Sequence, residues 1–530
     1  MKNQIRRYSM VREYKDITDD IMKNYRAELR ALDENGGVPT IEIIKKILNK
    51  HGPKREHMLG LHNRYLSHMD GVPIFRREFE DPSAINNKIN NDYFSELINT
   101  KVGYFAGAPF SYSYSQLAEK EDDKNKGGIL ASVKSLFSKE NTVKQTETDI
   151  ETNQKVIERF TIRNNIADKD LEITKLAEIC GYAGRLLYIN TDGEESIKVI
   201  NPWECVILAR DEITEPSYGI WYYTEEFITD GMSKEVKTVE FYNATDCYIF
   251  EDGLQGWALK DHFKHMFDYC PLQGIPNNRE LLGGAEKVLS LIDGVDRTIS
   301  DCNSEVEAFK LAYLLVYGVQ IDDKTLEEAK RTGCFNIPPM GATESKIEYL
   351  TKQINDTFVE NHLNRLENNI YKFGQTPNFS DEAFASTTSG VAMKVRLFPL
   401  ETRCAMFERK LHAANLYMFK TLSTAWEKKQ IFVDPLEVII EYKRTFPLDL
   451  QYEATVLAAL KGNVSDQTAL GLMSFIDNPE YEMELMEQEK NSIPEIDLSF
   501  EEEAQNDVAS GNSNPTNLYG TSNTEGEGNE

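Results

Sequence analysis

Seven apolar or sulphur-bearing residues repeat in strict heptad register: Val288, Ile292, Val295, Ile299, Cys302, Val306 and Phe309. The steps alternate four and three, which sets all seven on one stripe of a helix over 286–310. Asp293, Asp296, Asp301, Glu305 and Glu307 fall off the stripe. A narrow seam of this kind seeks another helix to pack on, while its acidic side is expected to face water or something that should not stick. A second helix is predicted over 347–373, with Ile347, Leu350, Ile354, Phe358, Leu363, Leu366, Ile370 and Phe373 as its apolar positions. Between the two, the continuous apolar run from Leu311 to Val319 predicts a strand, Thr325–Arg331 a short helix, and Pro338-Pro339 a loop. Two helices separated by a compact insert predict an αα pair that projects the insert.

The same reading gives the rest of the chain. Residues 10–75 mix helix and loop, with breaks at Gly36-Gly37 and Gly52-Pro53. A helix is expected from Asn86 to Phe105, its GxxxG (Gly103, Gly107) serving close helix contact rather than a membrane. Residues 111–160 read as a long loop or flexible flap, because Glu119–Lys126 is almost all charge and 139–155 is polar again. Strands are predicted at Arg185–Ile189, Ile197–Ile200, Cys205–Ala209, Gly219–Tyr223, Thr238–Tyr242, Tyr248–Phe250 and Trp257–Leu259, with hairpin turns at Asp192-Gly193 and Asp252-Gly253. These predict an antiparallel meander. The polar segment 374–389 (GQTPNFSDEAFASTTS) reads as a loop. From Gly390 a helix is predicted to Lys429, kinked and hinged at Pro399, where one backbone hydrogen bond is missing. A strand follows at Leu436–Tyr442, then short helices over 449–486 broken at Gly462 and near Pro479. The last stretch, 491–530, holds nine acidic residues and no Lys or Arg, and is expected to be disordered.

Composition narrows the function classes. The 530 residues carry 87 acidic and 59 basic side chains, a formal net charge of −28. That balance argues against gripping nucleic acid, which needs a basic footprint. Seven scattered cysteines without a CxxC pair exclude a disulfide scaffold and a zinc ribbon. There is no apolar run of membrane-spanning length, and no signal peptide is expected behind the charged N-terminus.

Catalytic motifs are missing. GxxxxGK[ST], GxSxG and HExxH do not occur. His51, His57, His62 and His68 cluster, but without metal-ligand spacing, and read as packing or surface residues. Asp261, His262 and His265 would share a face if helical, which permits but does not require ligation. A two-carboxylate nuclease site is the competing enzymatic reading, and with so many acids such clusters arise by chance.

The order of parts resembles the portal proteins of long-tailed double-stranded DNA bacteriophages. The likeness is carried by INNKINNDYFSELINTKVGYFAGAP at 85–109, GYAGRLLYI at 181–189, EKVLSLIDGVDRTISD at 286–301, AYLLVYG at 312–318 and SGVAMKVRLFPLETRCAMFERKL at 389–411. It extends over roughly residues 40–490. The resemblance implies an α+β portal fold in a cyclic homo-oligomer, normally of twelve subunits, with no cofactor and no enzymatic activity. It implies a mixed α/β wing over 1–285 (with a charged flexible excursion at 115–155), stem helices at 286–310 and 347–373, and a small clip at 311–346. A tunnel loop at 374–389, a long kinked helix with a wing strand at 390–449, and a helical crown at 450–490 complete it. On this pattern Gln375, Thr376, Asn378, Phe379, Asp381, Glu382, Phe384, Ser386 and Thr388 would be tunnel-loop residues. Asp322, Asp323, Lys324, Glu327, Glu328 and Arg331 would be docking residues of the clip. Lys352, Arg365 and Lys372 would touch passing DNA weakly. The implied partners are the terminase large subunit, a head-completion adaptor, the scaffolding and major capsid proteins, and double-stranded DNA in the channel. The implied location is the virion, at a capsid vertex, after synthesis in the host bacterial cytoplasm. A soluble acidic metal-dependent enzyme, nuclease-like, is the alternative.

Overall fold

The structure, a computed structural model, describes residues 25–81, 84–114, 147–229, 232–253, 256–308, 313–317, 346–350, 356–379, 390–445 and 450–471, with 323–324, 327 and a few positions between 473 and 487. The chain divides into two compact units, 1–445 and 446–530.

The first unit begins with α1 (Arg26–Glu34) and α2 (Ile41–Tyr65). Gly36 and Gly37 both take positive φ and turn the chain between them, and Thr40 Oγ1 caps α2 by accepting from the Ile43 amide. The break expected at Gly52-Pro53 does not occur: α2 runs through it. Ile44, Ile47, Met58 and Leu61 are buried on both sides of Pro53, so tertiary burial outweighs the lost hydrogen bond. Next come α3 (Tyr93–Ala106), β1 (Ser111–Tyr114), α4 (Glu147–Arg163) and α5 (Ile166–Cys180). The flap reading of 111–160 is therefore corrected at both ends. β1 pairs antiparallel with β12 (Val438–Glu441), and 147–163 is helical. Residues 115–146 lie outside the described residues.

Two sheets follow. β2 (Tyr182–Ile189), β3 (Glu195–Ile200) and β9 (Leu272–Pro276) form one in the order β3-β2-β9. β4 (Cys205–Leu208), β5 (Tyr218–Thr229), β6 (Met232–Tyr242), β7 (Asp246–Gly253) and β8 (Gly256–Lys264) form an antiparallel meander in sequence order. Asp261 and His262 thus lie on a strand, not a helix, and His265 follows it. His262 pairs with Asp246, and His265 bonds the Asn243 carbonyl. Leu29, Leu32, Ile44 and Ile47 of α1 and α2 cover the meander face formed by Val206, Ile220, Val239 and Phe241.

The main core gathers around α8 (Gly390–Lys428), whose Leu400, Cys404, Phe407, Leu411, Met418 and Phe419 are buried. Its middle is tied to the three-stranded sheet by polar groups. The buried Arg185 donates to Asn415 Oδ1 (2.7 Å) and the Ala414 carbonyl (2.8 Å), and Gln273 Nε2 donates to the same carbonyl (2.8 Å). Gly107 of the GxxxG sits so near Thr445 that a Cβ would stand 2.6 Å from its hydroxyl, so close contact within the chain explains that glycine.

In the second unit, α9 (Leu450–Leu460) and α10 (Asp466–Gly471) are joined through Gly462, which takes positive φ at the expected break. Residues 488–530, including the tail expected to be disordered, lie outside the described residues.

Candidate functional site

The heptad stretch forms a 3₁₀ turn at Glu286–Val288 and then α6 (Leu289–Ala308), about 30 Å long at ~1.5 Å per residue. It packs against α7 (Asp356–Gly374), with Gly294 facing Leu366 closely enough that a Cβ would lie 3.6 Å from it. Burial along the stripe is graded. Val288, Ile292 and Val295 are fully buried, Ile299 is partly buried against the same core, and Cys302 is intermediate. Val306 is 59% exposed, and Phe309 lies outside the described residues. On the other helix Ile370 is buried, Leu366 and Leu363 are partly buried and Phe358 is 69% exposed, but Phe373, at the core-side end, is itself 56% exposed and takes no part in the seam. The chain itself covers the seam near the core and leaves it open at the far end.

The expectation that the acidic side of α6 faces water fails at Asp296, while Asp301 and Glu307 are exposed and Asp293 is half-buried. Asp296 is only 1% exposed, and its Oδ1 accepts from both the backbone amide (2.9 Å) and Nδ2 (3.0 Å) of Asn91. Burial raises its pKa above the usual carboxylate value. Asp293 pairs with Arg64, Asp301 with Arg77, and Glu307 accepts from Asn87. The backbone amides of Asn87, Ile89 and Asn91 donate in turn to Ser304 Oγ, Ser300 Oγ and Asp296 Oδ1. Alternate residues of an extended segment thus meet every fourth residue of a helix. Two extended residues span about 6.6 Å and four helical residues about 6 Å, so the two repeats match. This ladder also explains why α3 begins at Tyr93 rather than Asn86: the preceding amides are committed to α6.

Between α6 and α7, β10 (Tyr313–Tyr317) pairs antiparallel with β11 (Lys346–Leu350). The helix expected from Ile347 therefore starts only at Asp356, and 346–350 is strand. Ile347 and Leu350 satisfy a helical spacing, but Lys-Ile-Glu-Tyr also alternates polar and apolar, and the partner strand decides. Of the docking candidates, Asp323, Lys324 and Glu327 are exposed, while Asp322, Glu328 and Arg331 lie outside the described residues. Arg365 and Lys372 are exposed on α7, and Lys352 lies outside.

α7 ends in a Schellman arrangement. The Thr376 amide donates to the Tyr371 carbonyl (3.1 Å), the Gln375 amide to that of Lys372 (3.4 Å), and Gln375 has φ +51°. Thr376, grouped with the loop on sequence, is buried beneath Arg403. Asn378 Nδ2 donates to Glu367 (3.3 Å), and Gln375 and Phe379 are exposed. Asp381, Glu382, Phe384, Ser386 and Thr388 lie outside the described residues. Pro399 sits on the exposed side of α8 between the buried Leu397 and Leu400, within an unbroken helical span.

Sequence reasoning missed the ionic knot beside this helix end. Arg403 donates to Glu178, to the Gly374 carbonyl and to Thr376 Oγ1, and Lys101 also pairs with Glu178. All four side chains are buried. A signal existed: Arg403 interrupts the core stripe Leu400, Cys404, Phe407, Leu411 at a position where an apolar residue would be expected.

The histidines of α2 are links in the packing. His51 bonds the Tyr222 hydroxyl (2.8 Å), His57 approaches Glu286 (3.1 Å), and His62 packs on Trp203 with the rings tilted by 45°. Burial pushes the Glu286 carboxyl up to about 8 and lowers His57, so the two meet as a neutral pair near pH 7. Among the described residues, no group of three or more His, Cys, Asp or Glu side chains is placed to hold a metal ion.

A family profile described as "Phage portal protein, SPP1 Gp6-like" matches residues 2–495. The chain belongs to this family of phage portal proteins. It is also 20% identical over 486 residues to the portal protein of Bacillus phage SPP1, covering 86% of this chain and 88% of that one. Its role in DNA packaging follows from the family, which is structural rather than enzymatic and whose members are virion components at the capsid. The family implies a capsid-associated oligomeric ring through which DNA passes. Neither comparison supports the alternative of a soluble metal-dependent enzyme. Among the described residues, no helix is long and apolar enough to cross a membrane.

Proposed function

We propose that twelve copies of this chain close into a ring at one capsid vertex, with α6 and α7 as the stem around the DNA path. The observation that carries this reading is the graded burial of the helix pair. On α6 the near end is sealed against the chain's own core at Val288, Ile292 and Val295, while Val306 is 59% exposed at the far end. A neighbouring copy in a closed ring covers such a seam, and heterologous contacts of this type generate rings. In this reading the β10–β11 element is the base of the clip, to which the terminase large subunit binds during packaging and a head-completion adaptor binds afterwards. The loop leaving α7 is the tunnel loop, with Gly374 and Thr376 as its buried anchor, 450–490 form the crown, and the outer parts of the first unit meet scaffolding and major capsid proteins. Assembly takes place in the host bacterial cytoplasm.

A wall that does not hold phosphates lets a duplex slide past it. Asp296 is buried on Asn91 and cannot face a channel, whereas Asp293 and Asp301 are partly exposed beside Arg64 and Arg77, which offset their charge. Repulsion of passing phosphates falls instead to other wall residues, within a screening length of about 8–10 Å. The test is imaging of heads that carry a chain shortened between residues 318 and 345. Rings with DNA-free heads and no bound terminase support the clip assignment, and normal filling refutes it.

A further inference from the structure

One buried polar junction gathers the core-side ends of both α6 and α7. Glu178, near the end of α5, is its centre. One carboxylate oxygen accepts from Lys101 Nζ, which also donates to Asn277 Oδ1 at 2.9 Å, and the other accepts from Arg403 Nη2. Arg403 Nη1 donates to the Gly374 carbonyl at the C-terminus of α7 and to Thr376 Oγ1 at 3.1 Å. On the other side, the Gly284 amide, just ahead of α6, donates to the Glu178 carbonyl at 2.7 Å. A Cβ on Gly284 would stand 1.4 Å from a Glu178 oxygen and 2.3 Å from Arg403 Nη2. Only glycine admits the knot there.

The charges explain why arginine fills this place. Two cations meet one carboxylate, leaving one positive charge in surplus. The C-terminal carbonyl of α7 carries the negative end of the helix dipole and meets that surplus. A planar guanidinium can hold the carboxylate on one edge and the helix end on the other, whereas an ammonium cannot span both in fixed geometry. Removing the guanidinium fork would leave the α7 carbonyl and the Thr376 hydroxyl buried without a donor from Arg403.

We propose that Arg403 is a positioning residue for DNA passage: it fixes the ends of α6 and α7, and the chain leaving α7 at Gln375 and Thr376, against the core. This rests on the reading of α6 and α7 as the stem of a ring. Arg403 is not required to bring subunits together, since its partners all lie within one chain. Its effect is on how the helix pair transmits or resists displacement while DNA moves.

The test uses the full-length chain with Arg403→Lys, which keeps a cation for Glu178, and with Thr376→Val, which removes only the hydroxyl. Ring yield, amide hydrogen exchange in the ring, and the DNA content of heads carrying each variant are measured together. The expected result for Arg403→Lys is ring yield like the parent, exchange about tenfold faster over 371–379, and several-fold fewer filled heads. Thr376→Val shifts exchange in the same direction by a smaller factor. Parental exchange and parental filling in Arg403→Lys would overturn the proposal. So would faster exchange with full packaging, or an equal loss of rings and filled heads, which marks a folding role only. The stem reading is checked separately in the same preparation, because its failure appears as the absence of rings from the parental chain.

Discussion

Replacing Asp296 separates two explanations of the acidic face of α6. If the carboxylate acts as an acceptor that holds the segment before α3, Asp296→Ala leaves the amide and the Nδ2 of Asn91 without their acceptor. A buried donor left unpaired costs about 1–3 kcal/mol, so two give a gross loss of about 2–6 kcal/mol. The loss is reduced because the carboxylate is itself penalised by burial, as its raised pKa shows. A net loss of about 2–4 kcal/mol follows. Asp296→Asn retains the oxygen that accepts both bonds and discards the buried charge, so it should lie within about 1 kcal/mol of the parent. The assay is amide exchange at residues 87–92 in the assembled protein, supported by the thermal midpoint. The chain has two units, so a single unfolding free energy is not a clean quantity. Exchange should accelerate strongly for Asp296→Ala and barely for Asp296→Asn. If the two variants behave alike, charge rather than hydrogen-bond geometry matters at this position, and the ladder argument fails.

Ile292→Ala, in the sealed part of the seam, should cost about 2–4 kcal/mol in thermal or denaturant stability. Val306→Asp, at the open end, should leave the isolated fold within about 0.5 kcal/mol of the parent and lower ring yield in electron micrographs; normal rings would refute the neighbour contact. Glu286 has a folded pKa of about 8, above its unfolded value. Its protonated form stabilises the fold fully below about pH 4.5, and that contribution is lost as pH rises towards 8. Glu286→Gln lacks this dependence, so its stability relative to the parent should improve by roughly 1 kcal/mol per pH unit between about pH 5 and 8; a flat difference across melting curves would contradict the buried neutral carboxyl. Pro399→Ala restores one helical hydrogen bond and should raise helix stability by about 1–3 kcal/mol, while impairing DNA filling more than ring assembly in purified heads. Equal effects on both would remove the hinge role.

The elements readable from sequence were those whose signal is local. The helix Gly390–Lys428 was legible from its unbroken apolar spacing, even with Pro399 inside. The meander strands were legible from β-branched and aromatic runs, although β5, β6 and β8 extend well past the predicted segments. Polar strand ends such as Glu225–Phe227 are fixed by register with Val236–Lys234, which no local pattern reveals. The strand at Lys346–Leu350 was mistaken for helix because five residues satisfy both periods. Burial of Asp296 and the pairing of Asp293 and Asp301 are not legible in the sequence, because the partners Asn91, Arg64 and Arg77 lie more than 200 positions away. The Glu178–Arg403 knot was hidden for the same reason. The seam itself was visible as a pattern, but the pattern is uniform over seven positions, while burial along it depends on how far the core reaches.

Electron microscopy of the purified chain, made together with its capsid partners, decides whether copies close on one another. Closed rings with an axial channel and copies related by rotation are expected, with α6 and α7 arranged around that channel. A population consisting only of 60.6 kDa single chains under those conditions would contradict closure into a ring.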